Sequence, residues 1–291
     1  ISDGAMHPMR VWERDDDSIL IDLNHPLARS PLSVAARQLE HRGETGEHGG
    51  RCNDIVMDIL DGGVGLQAAM QDGSTDFLDA SSLNRLDERE DGLFYSKPRL
   101  VQHLDSNAIT RIGDIYRRFL QPGMRVLDFM SSWVSHLPDE PVDIDLTGLG
   151  MNAAEMKENA RLSAYLVHDA NRDPQLPFDD QSFDAVICTA SVEYLVRPLE
   201  VFRELARVTK PGGPVVMTFS DRWFPTKAIS LWGELHPFER MGLVLDYFRR
   251  SDCFDNMATQ SSRGFPRPAD DKYAEQRSSA DPVFAVWARR L

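Results

Sequence analysis

Residues 176–220 read LPFDDQSFDAVICTASVEYLVRPLEVFRELARVTKPGGPVVMTFS, and this stretch decides the fold. Its first apolar run, Phe183 to Thr189, is typical of a buried strand. The next segment, Pro198 to Lys210, repeats apolar residues at helical spacing, and Pro211-Gly212-Gly213 ends it. A second apolar run, Val215 to Phe219, follows. A strand, a helix and a strand in this order predict a right-handed crossover in a mostly parallel sheet.

The same alternation continues on both sides of this stretch. A helix with an inward apolar face is predicted after Ser106, which we take as its cap, and a second helix is predicted over Asn152 to Ala160. Further strands are predicted over Met124 to Met130, Leu146 to Met151, Tyr165 to Ala170 and Pro282 to Arg289. The last of these is expected to be an antiparallel edge strand. The pattern as a whole predicts a doubly wound α/β fold.

The composition excludes several classes of protein. With 291 residues, 42% hydrophobic and 27% charged, the chain is long enough for one large or two modest domains. Its net charge of −14 repels a phosphate backbone, so a nucleic-acid partner is not expected. No apolar run approaches the roughly 20 residues of a membrane span, and the opening segment lacks a signal-peptide core. We therefore expect a cytoplasmic protein without a membrane partner.

Cysteine and histidine spacing argues against metal. The three cysteines, Cys52, Cys188 and Cys253, are far apart, and no CxxC occurs. The eight histidines show no HxH or HxxxH spacing. Neither a disulfide framework nor a metal site is expected.

The first third of the chain differs in charge. Residues 1–92 hold 8 basic and 19 acidic side chains, a net of −11. Within it, residues 42–51 are rich in glycine and polar side chains, as a linker is. We predict three parts: a small β element over 1–40, an acidic linker or wrapping segment over 41–92, and the α/β domain over 93–291.

The β element is predicted from two short strand-like runs. Met9 to Trp12 and Ser18 to Asp22 flank an acidic turn, which indicates a hairpin. Residues 32–39 fit either a third strand or a short helix. Residues 3–39, including Asn24-His25-Pro26-Leu27-Ala28, resemble the closing strands of SlyD-like FKBP peptidyl-prolyl isomerases. The resemblance covers a quarter to a third of such a domain, so it implies an isomerase only in a longer parent chain.

The C-terminal domain resembles a second family. The blocks LPF-x-D-x-SFD-x-V and R-V-x-KPGG, with RVLD at Arg125 to Asp128, occur in the order and spacing of class I S-adenosylmethionine (SAM)-dependent methyltransferases. In particular, the segment resembles the group that includes the ubiquinone and menaquinone methylases. The segments MSSWVSHLP (Met130 to Pro138) and FPTKAI (Phe224 to Ile229) are similar to those of an uncharacterised methyltransferase-like subgroup. The resemblance implies a Rossmann-like class I methyltransferase sheet and SAM as cofactor.

The implied cofactor residues follow the predicted strands, where ligands of open α/β sheets bind. Asp169 takes the position that faces the adenine amine in the family. The full implied set comprises Asp128, Met130, Ser131, Ser132, Gly150, Met151, Asp169, Ala170 and Thr189.

Two family features are missing. Met130, Ser132 and Val134 stand at the three positions of the family's glycine-rich loop, where a Cβ reduces the room for the cofactor. Gly150 replaces the acidic residue that accepts the ribose hydroxyls in the family.

Two interpretations of the altered loop stay open. Ser131, Ser132 and His136 can rebuild a ligand site with side chains, or Trp133 fills the site and the cofactor is lost. If the second holds, restoring the family's residues, Gly150→Asp among them, is expected to create binding.

The resemblance implies methyl transfer to a small-molecule acceptor of unknown identity. Aligning donor and acceptor and deprotonating the nucleophile are the main tasks of such an enzyme. The candidate catalytic residues are His136, Glu193, Tyr194 and Arg222. The alternatives are a non-catalytic binding module that has kept the fold, and an isomerase or chaperone in the longer parent. The oligomeric state does not follow from the sequence.

Overall fold

The chain divides into two compact units, Ile1–Thr75 and Asp76–Leu291. The computed structural model describes residues 10–14, 17–22, 63–64, 77–79, 81–138 and 143–291. In the first unit, β1 (Arg10–Arg14) and β2 (Ile19–Asp22) pair antiparallel, which confirms the hairpin. The predicted element over 32–39 and the linker over 42–51 lie outside the described residues. The domain boundaries after residues 40 and 92 stay predictions.

The second unit contains a seven-stranded sheet with the order β5-β4-β3-β6-β7-β9-β8. The strands are β3 (Arg125–Phe129), β4 (Asp145–Gly150), β5 (Ala164–Val167), β6 (Ala185–Thr189), β7 (Pro214–Phe219), β8 (Phe254–Ser262) and β9 (Val283–Arg290). Strands β3 to β7 are parallel, and β9 pairs antiparallel with both β7 and β8. Numbered within the sheet, the order is 3-2-1-4-5-7-6 with the seventh strand reversed. The predicted Rossmann-like fold is confirmed.

The described helices are α1 (Asp91–Phe94), α2 (Ser106–Arg117), α3 (Ala153–Glu158), α4 (Pro198–Val208), α5 (Ser230–Glu234) and α6 (Pro237–Ser251). A 3₁₀ turn, Val192–Tyr194, follows β6. Helix α4 starts with Pro198, whose fixed φ suits a first helical position, and buries its predicted apolar residues Phe202 and Leu205. Helix α2 is capped by Asp105, whose side chain accepts the Ala108 N–H, so the predicted Ser106 cap was one residue late.

The core lies where α2 packs against the sheet. Ile112 and Tyr116 of α2 contact a cluster that includes Val126, Ile187 and Val216 of the central strands, and all five are fully buried. The Tyr116 hydroxyl bonds to Thr189 Oγ1 (2.6 Å) and Thr218 Oγ1 (2.8 Å), so it ties α2 to the carboxyl ends of β6 and β7.

A reciprocal aspartate pair joins the start of α2 to the start of β9. The Asp105 N–H donates to Asp281 Oδ2 (3.0 Å), and the Asp281 N–H donates to Asp105 Oδ2 (2.6 Å). Arg267 neutralises the pair, with its guanidinium 2.6 Å from Asp281 and 3.4 Å from Asp105. All three residues are buried.

The C-terminal part of the sheet departs from the sequence prediction. The last strand, β9, is antiparallel as predicted, but it lies inside the sheet between β7 and β8. The edge position belongs to β8, which the sequence analysis missed together with α6. Pairing with β9 over most of its length builds β8 from a largely polar sequence.

Candidate functional site

A cavity opens at the carboxyl ends of β3, β4, β5 and β6. Its volume is about 160 Å³, well above the roughly 10–15 Å³ that one water needs. All nine residues of the implied cofactor set lie in its wall, as do His136 and Tyr194 of the catalytic candidates. Trp133 is part of the wall and leaves this space open. The binding and catalytic roles of these residues stay predictions.

The loop after β3 keeps a glycine-like backbone without glycine. Met130, at the first family glycine position, has a φ of +58°, in the left-handed region. A non-glycine residue there costs about 1–2 kcal/mol. The next residue, Ser131, donates its N–H to the Leu149 carbonyl (2.8 Å), which holds the loop against the end of β4.

The loop is held by serine hydroxyls. Asp128 Oδ2 accepts hydrogen bonds from Ser131 Oγ and Ser135 Oγ, both at 2.6 Å. Asn159 donates to Ser135 Oγ (2.8 Å) and to the Ser132 carbonyl (2.9 Å). Burial raises the pKa of Asp128 to about 6, and the two hydroxyls oppose this shift. These hydroxyls therefore organise the loop itself.

Glu155, in the first turn of α3, also lines the cavity, and the sequence analysis missed it. Its Oε2 accepts from Ser132 Oγ (2.6 Å) and its Oε1 accepts from the Arg99 N–H (2.7 Å). The carboxylate lies five residues after Gly150, where the family's acidic residue is missing. A search for the next carboxylate after that position would have found it.

Gly150 and the altered loop belong to one structural change. A Cβ built on Gly150 falls far inside contact distance of the Ser131 carbonyl oxygen and meets Met156 Sδ at 3.1 Å. The loop therefore occupies the space that the family's acidic side chain would need. The absence of the acidic residue and the absence of the glycines are therefore coupled, because the loop packs against the end of β4.

Asp169 lies two residues after the end of β5, and its side chain closes a turn. Its Oδ1 accepts the N–H groups of Asn171 (3.0 Å) and Arg172 (3.1 Å). Within the described part of the chain, its Oδ2 has no hydrogen bond. This oxygen is therefore available to a ligand in the cavity.

Aromatic rings line the β6 and β7 side of the cavity. The Tyr194 hydroxyl accepts the Phe224 N–H (2.9 Å), and the two rings stack with centroids 6.1 Å apart. His103 meets the Phe224 ring edge to face at 5.4 Å. All three residues contribute to the wall. This side suits an apolar or aromatic ligand body.

His136 has a strained backbone and a free ring nitrogen. Its φ is +49°. Its Nδ1 is buried, and no described residue bonds to it. Burial, and to a smaller extent the charge of His103, lowers the pKa of His136 to about 4, so the imidazole is neutral near pH 7. A neutral imidazole in the wall can accept a proton.

The other two catalytic candidates lie outside the wall. Glu193 is buried, and neither carboxylate oxygen has a hydrogen-bond partner among the described residues. Burial raises its pKa to about 8, so it carries its proton at neutral pH. Arg222 places its guanidinium 4.7 Å from the Tyr273 ring centroid. The structure thus brings His136 and Tyr194 to the cavity and leaves Glu193 and Arg222 outside its wall.

A buried ion cluster fixes the segment that covers the cavity. Lys227, in the FPTKAI segment, is fully buried and lies 3.1 Å from Asp91 Oδ1. It donates to the carbonyls of Arg89 (2.7 Å) and Asp87 (3.1 Å), and Arg85 pairs with the same Asp91 at 2.7 Å. Asp91 lines the cavity, so this cluster positions one of its walls.

The described residues contain neither a cluster of potential metal ligands nor a membrane-spanning helix. No group of three or more His, Cys, Asp or Glu side chains there could hold a metal ion. No helix in the described ranges is long and apolar enough to cross a bilayer.

The family comparison matches the centre of this site. Residues 129–217, which run from the end of β3 to β7, match the family model described as a methyltransferase domain. This segment of the chain is therefore similar to a methyltransferase domain. The match includes the altered loop and the stretch that decides the fold.

The curated proteins to which the chain is similar are distant. The chain is 29% identical over 150 residues to the malonyl-[acyl-carrier protein] O-methyltransferase of Marinomonas sp. (strain MWYL1), covering 49% of this chain and 54% of that one. It is 33% identical over 97 residues to the demethylmenaquinone methyltransferase of Renibacterium salmoninarum, covering 33% and 41%. The chain spans about half the length of the curated relatives it matches.

A solved SAM-dependent methyltransferase from Archaeoglobus fulgidus is also similar, with 14% identity, a TM-score of 0.44 and coverage of 63% of this chain and 93% of that one. None of these comparisons supports the isomerase resemblance of residues 3–39. Most of that segment lies outside the described residues.

Proposed function

We propose that the domain transfers a methyl group from SAM to a small-molecule acceptor. The open cavity at the carboxyl ends of β3 to β6, with Asp169 Oδ2 left without a partner in the described structure, carries this proposal. The relatives support it: they are named as methyltransferases of a malonyl-acyl-carrier protein and of demethylmenaquinone. The acceptor of this chain does not follow from these names, because the similarity is distant and covers about half of each relative.

The residues present fit the cofactor by their chemistry. Asp169 Oδ2 would accept a hydrogen bond from the adenine amine. Glu155, in the cavity wall, would accept the ribose hydroxyls in place of the acidic residue missing at Gly150. Met151 and Ala170 supply apolar contacts. When bound, SAM supplies an electrophilic methyl group, so strong acid–base chemistry is not required.

The chain's own residues then position and deprotonate the acceptor. Tyr194 and Phe224 form an aromatic wall against which a flat acceptor packs. We assign to the neutral imidazole of His136, which lies in the wall, the role of accepting the proton that the nucleophile loses. Because Glu193 is buried and lies outside the wall, we give it no part in the transfer.

Calorimetric titration with S-adenosylhomocysteine (SAH), the methyl-transfer product of SAM, tests the proposal. We expect saturable binding by the wild type and a rise in melting temperature, since a ligand at a hundredfold excess over its Kd stabilises by about 2.7 kcal/mol. The variant Glu155→Gln should weaken binding, whereas Glu158→Gln, on the exposed side of α3, should not. The absence of both heat and thermal shift in the wild type would refute cofactor binding and favour a non-catalytic module.

His136→Gln tests the proton acceptor separately. This variant should leave SAH binding intact. With an identified acceptor, it should also abolish the pH dependence of methyl transfer. A variant that kept the wild-type pH profile would exclude His136 from this step.

A further inference from the structure

Positive side chains gather around the cavity in a chain whose net charge is −14. Arg99 and His103 lie in the wall. Burial lowers the pKa of His103, and the charges of Lys272, Arg99 and Arg222 lower it further. Glu155 is the acidic group that acts on His103 in the opposite direction. Three cations therefore act on one imidazole at the cavity.

Aromatic rings, not carboxylates, hold these three cations. Arg222 lies 4.7 Å and Lys272 Nζ lies 5.1 Å from the centroid of the same ring, that of Tyr273. Arg99 lies 4.4 Å from the Phe94 centroid and 5.4 Å from that of Phe224. Within the described ranges, none of the three makes an ion pair.

Other arginines of the same unit are neutralised. Arg85 pairs with Asp91 at 2.7 Å, and Arg207 pairs with Asp180 at 2.8 Å. Asp221 is the nearest acidic neighbour of Arg222 in sequence. The charge of Arg222 acts on the Asp221 carboxyl, but within the described residues the two side chains make no ion pair. The positive charge near the cavity therefore stays available to a ligand.

The strand order separates Arg222 from the expected donor site. Arg222 follows β7, which is two strands from β3 in the sheet, on the side opposite β4 and β5. The donor residues Asp128, Gly150 and Asp169 belong to the ends of β3, β4 and β5. Arg222, two residues before Phe224 of the wall, thus lies toward the acceptor half of the cleft. The Arg99 N–H contacts Glu155 of the donor side, while its guanidinium lies 5.4 Å from the Phe224 ring.

We propose that the acceptor is an anionic small molecule with an apolar or aromatic body, and that Arg99, Arg222 and Lys272 bind its negative group while Phe224 and Tyr194 contact its body. This inference rests on the proposed methyl transfer. We call the three residues the cationic rim. Ion pairing at a partly water-excluded mouth attracts an anion and excludes a neutral analogue of the same shape.

Two probes of equal shape test the charge preference. The anion 4-hydroxybenzoate and the neutral 4-hydroxybenzamide are titrated into the full chain, with and without saturating SAH. We expect the acid to bind about ten- to a hundredfold more tightly, the range of a charge-assisted hydrogen bond. Arg222→Gln and Lys272→Gln should each reduce this preference, and their double variant should reduce it further, to what Arg99 alone supports. Arg203→Gln, the same charge change on the exposed face of α4, should leave it unchanged.

The outcomes separate this inference from the proposed function. Equal binding of the two probes, binding of neither, or an equal effect of Arg203→Gln overturns the cationic rim while leaving SAH binding as measured. A loss of SAH affinity in Arg222→Gln or Lys272→Gln would assign these cations to the donor's carboxylate and also overturns it. Failure of the wild type to bind SAH counts against the methyl-transfer proposal alone, since the probes are also titrated without SAH.

Discussion

Two stretches of the second unit differ in how closely they follow the methyltransferase sequence pattern. Residues 176–220 keep the family's blocks in order and form β6, α4 and β7 with fully buried residues such as Val186, Leu205 and Val216. Residues 130–150 carry the altered loop and Gly150, and they are held by serine hydroxyls on Asp128 and Glu155. The first stretch packs the sheet and the second lines the ligand cavity. Fold and ligand determinants therefore occupy separate segments, and one can change while the other stays.

The largest expected effect comes from restoring the family's acidic residue. Gly150→Asp places a Cβ against the Ser131 carbonyl, so the loop must move and a charge is buried. We expect a loss of about 3 kcal/mol or more in unfolding free energy. Urea denaturation measures it, and Gly233→Asp, whose Cβ has open space, is the control.

This outcome would replace the sequence-based expectation that Gly150→Asp creates binding. A stable Gly150→Asp variant that binds SAH more tightly than the wild type would contradict the prediction. It would show that an acidic residue at position 150 is compatible with the altered loop.

The second prediction concerns Glu193, in the well-packed stretch. This acid is buried, and its carboxylate oxygens have no hydrogen-bond partner among the described residues. The pKa of Glu193 is raised from 4.5 to about 8. The native state therefore holds a proton that the unfolded chain loses, and stability falls as pH rises between these values. Glu193→Gln should stabilise the protein by on the order of 3 kcal/mol at pH 9 and far less at pH 5. Thermal denaturation at both pH values, with Glu158→Gln as control, decides; a pH-independent gain contradicts the prediction.

The third prediction concerns the donor residue that the family and this chain share. Asp169→Ala should lower SAH affinity about ten- to a hundredfold by removing a charge-assisted hydrogen bond. Asp169→Asn keeps an acceptor for the Asn171 and Arg172 N–H groups, so it should weaken SAH binding equally with a smaller loss of stability. Calorimetry supplies the affinity. Unchanged binding in both variants would remove adenine from this end of β5.

The smallest expected effect lies in the altered loop. Ser135→Ala deletes one of the two hydroxyls on Asp128 and should cost about 1 kcal/mol. The cost should be greater at pH 8 than at pH 5, because the pKa of Asp128 is about 6 and its ionised form needs the hydroxyl most. Ser182→Ala, at a surface hydrogen bond to the Asp179 carbonyl, is the control in denaturant titrations. Equal costs for the two variants would mean that the Asp128 network does not organise the loop.

Local periodicity was enough to predict the parallel part of the sheet. Strands β3 to β7 are short apolar runs, and α2 and α4 have clear apolar faces, so each element is determined by its own residues. Strand β8 reads FDNMATQSS and forms because β9 offers it a partner, which no local pattern indicates. Helix α6 buries Arg240 and Asp246, and such polar residues obscure an amphipathic pattern.

The site was predictable to the extent that it follows the sheet edge. Parallel strands bring their carboxyl ends together at one edge of the sheet. The sequence alone therefore placed Asp128, Gly150 and Asp169 at one site. Glu155 bonds to Arg99, 56 positions away, and Lys227 bonds to the Asp87 carbonyl, 140 positions away. Such contacts depend on how the covering segment folds back across the sheet, and the sequence carries no local signal for them.

The paired aspartates at the start of α2 and of β9 have a consequence for the order of events during synthesis. Asp105 finds its partner 176 positions later, and Arg267 must also be present before the two carboxylates can lie together. The five parallel strands can pair once β7 has been synthesised, whereas the start of α2 can bond to Asp281 only later. The parallel strands therefore come earlier in the chain than the aspartate contact that joins α2 to β9.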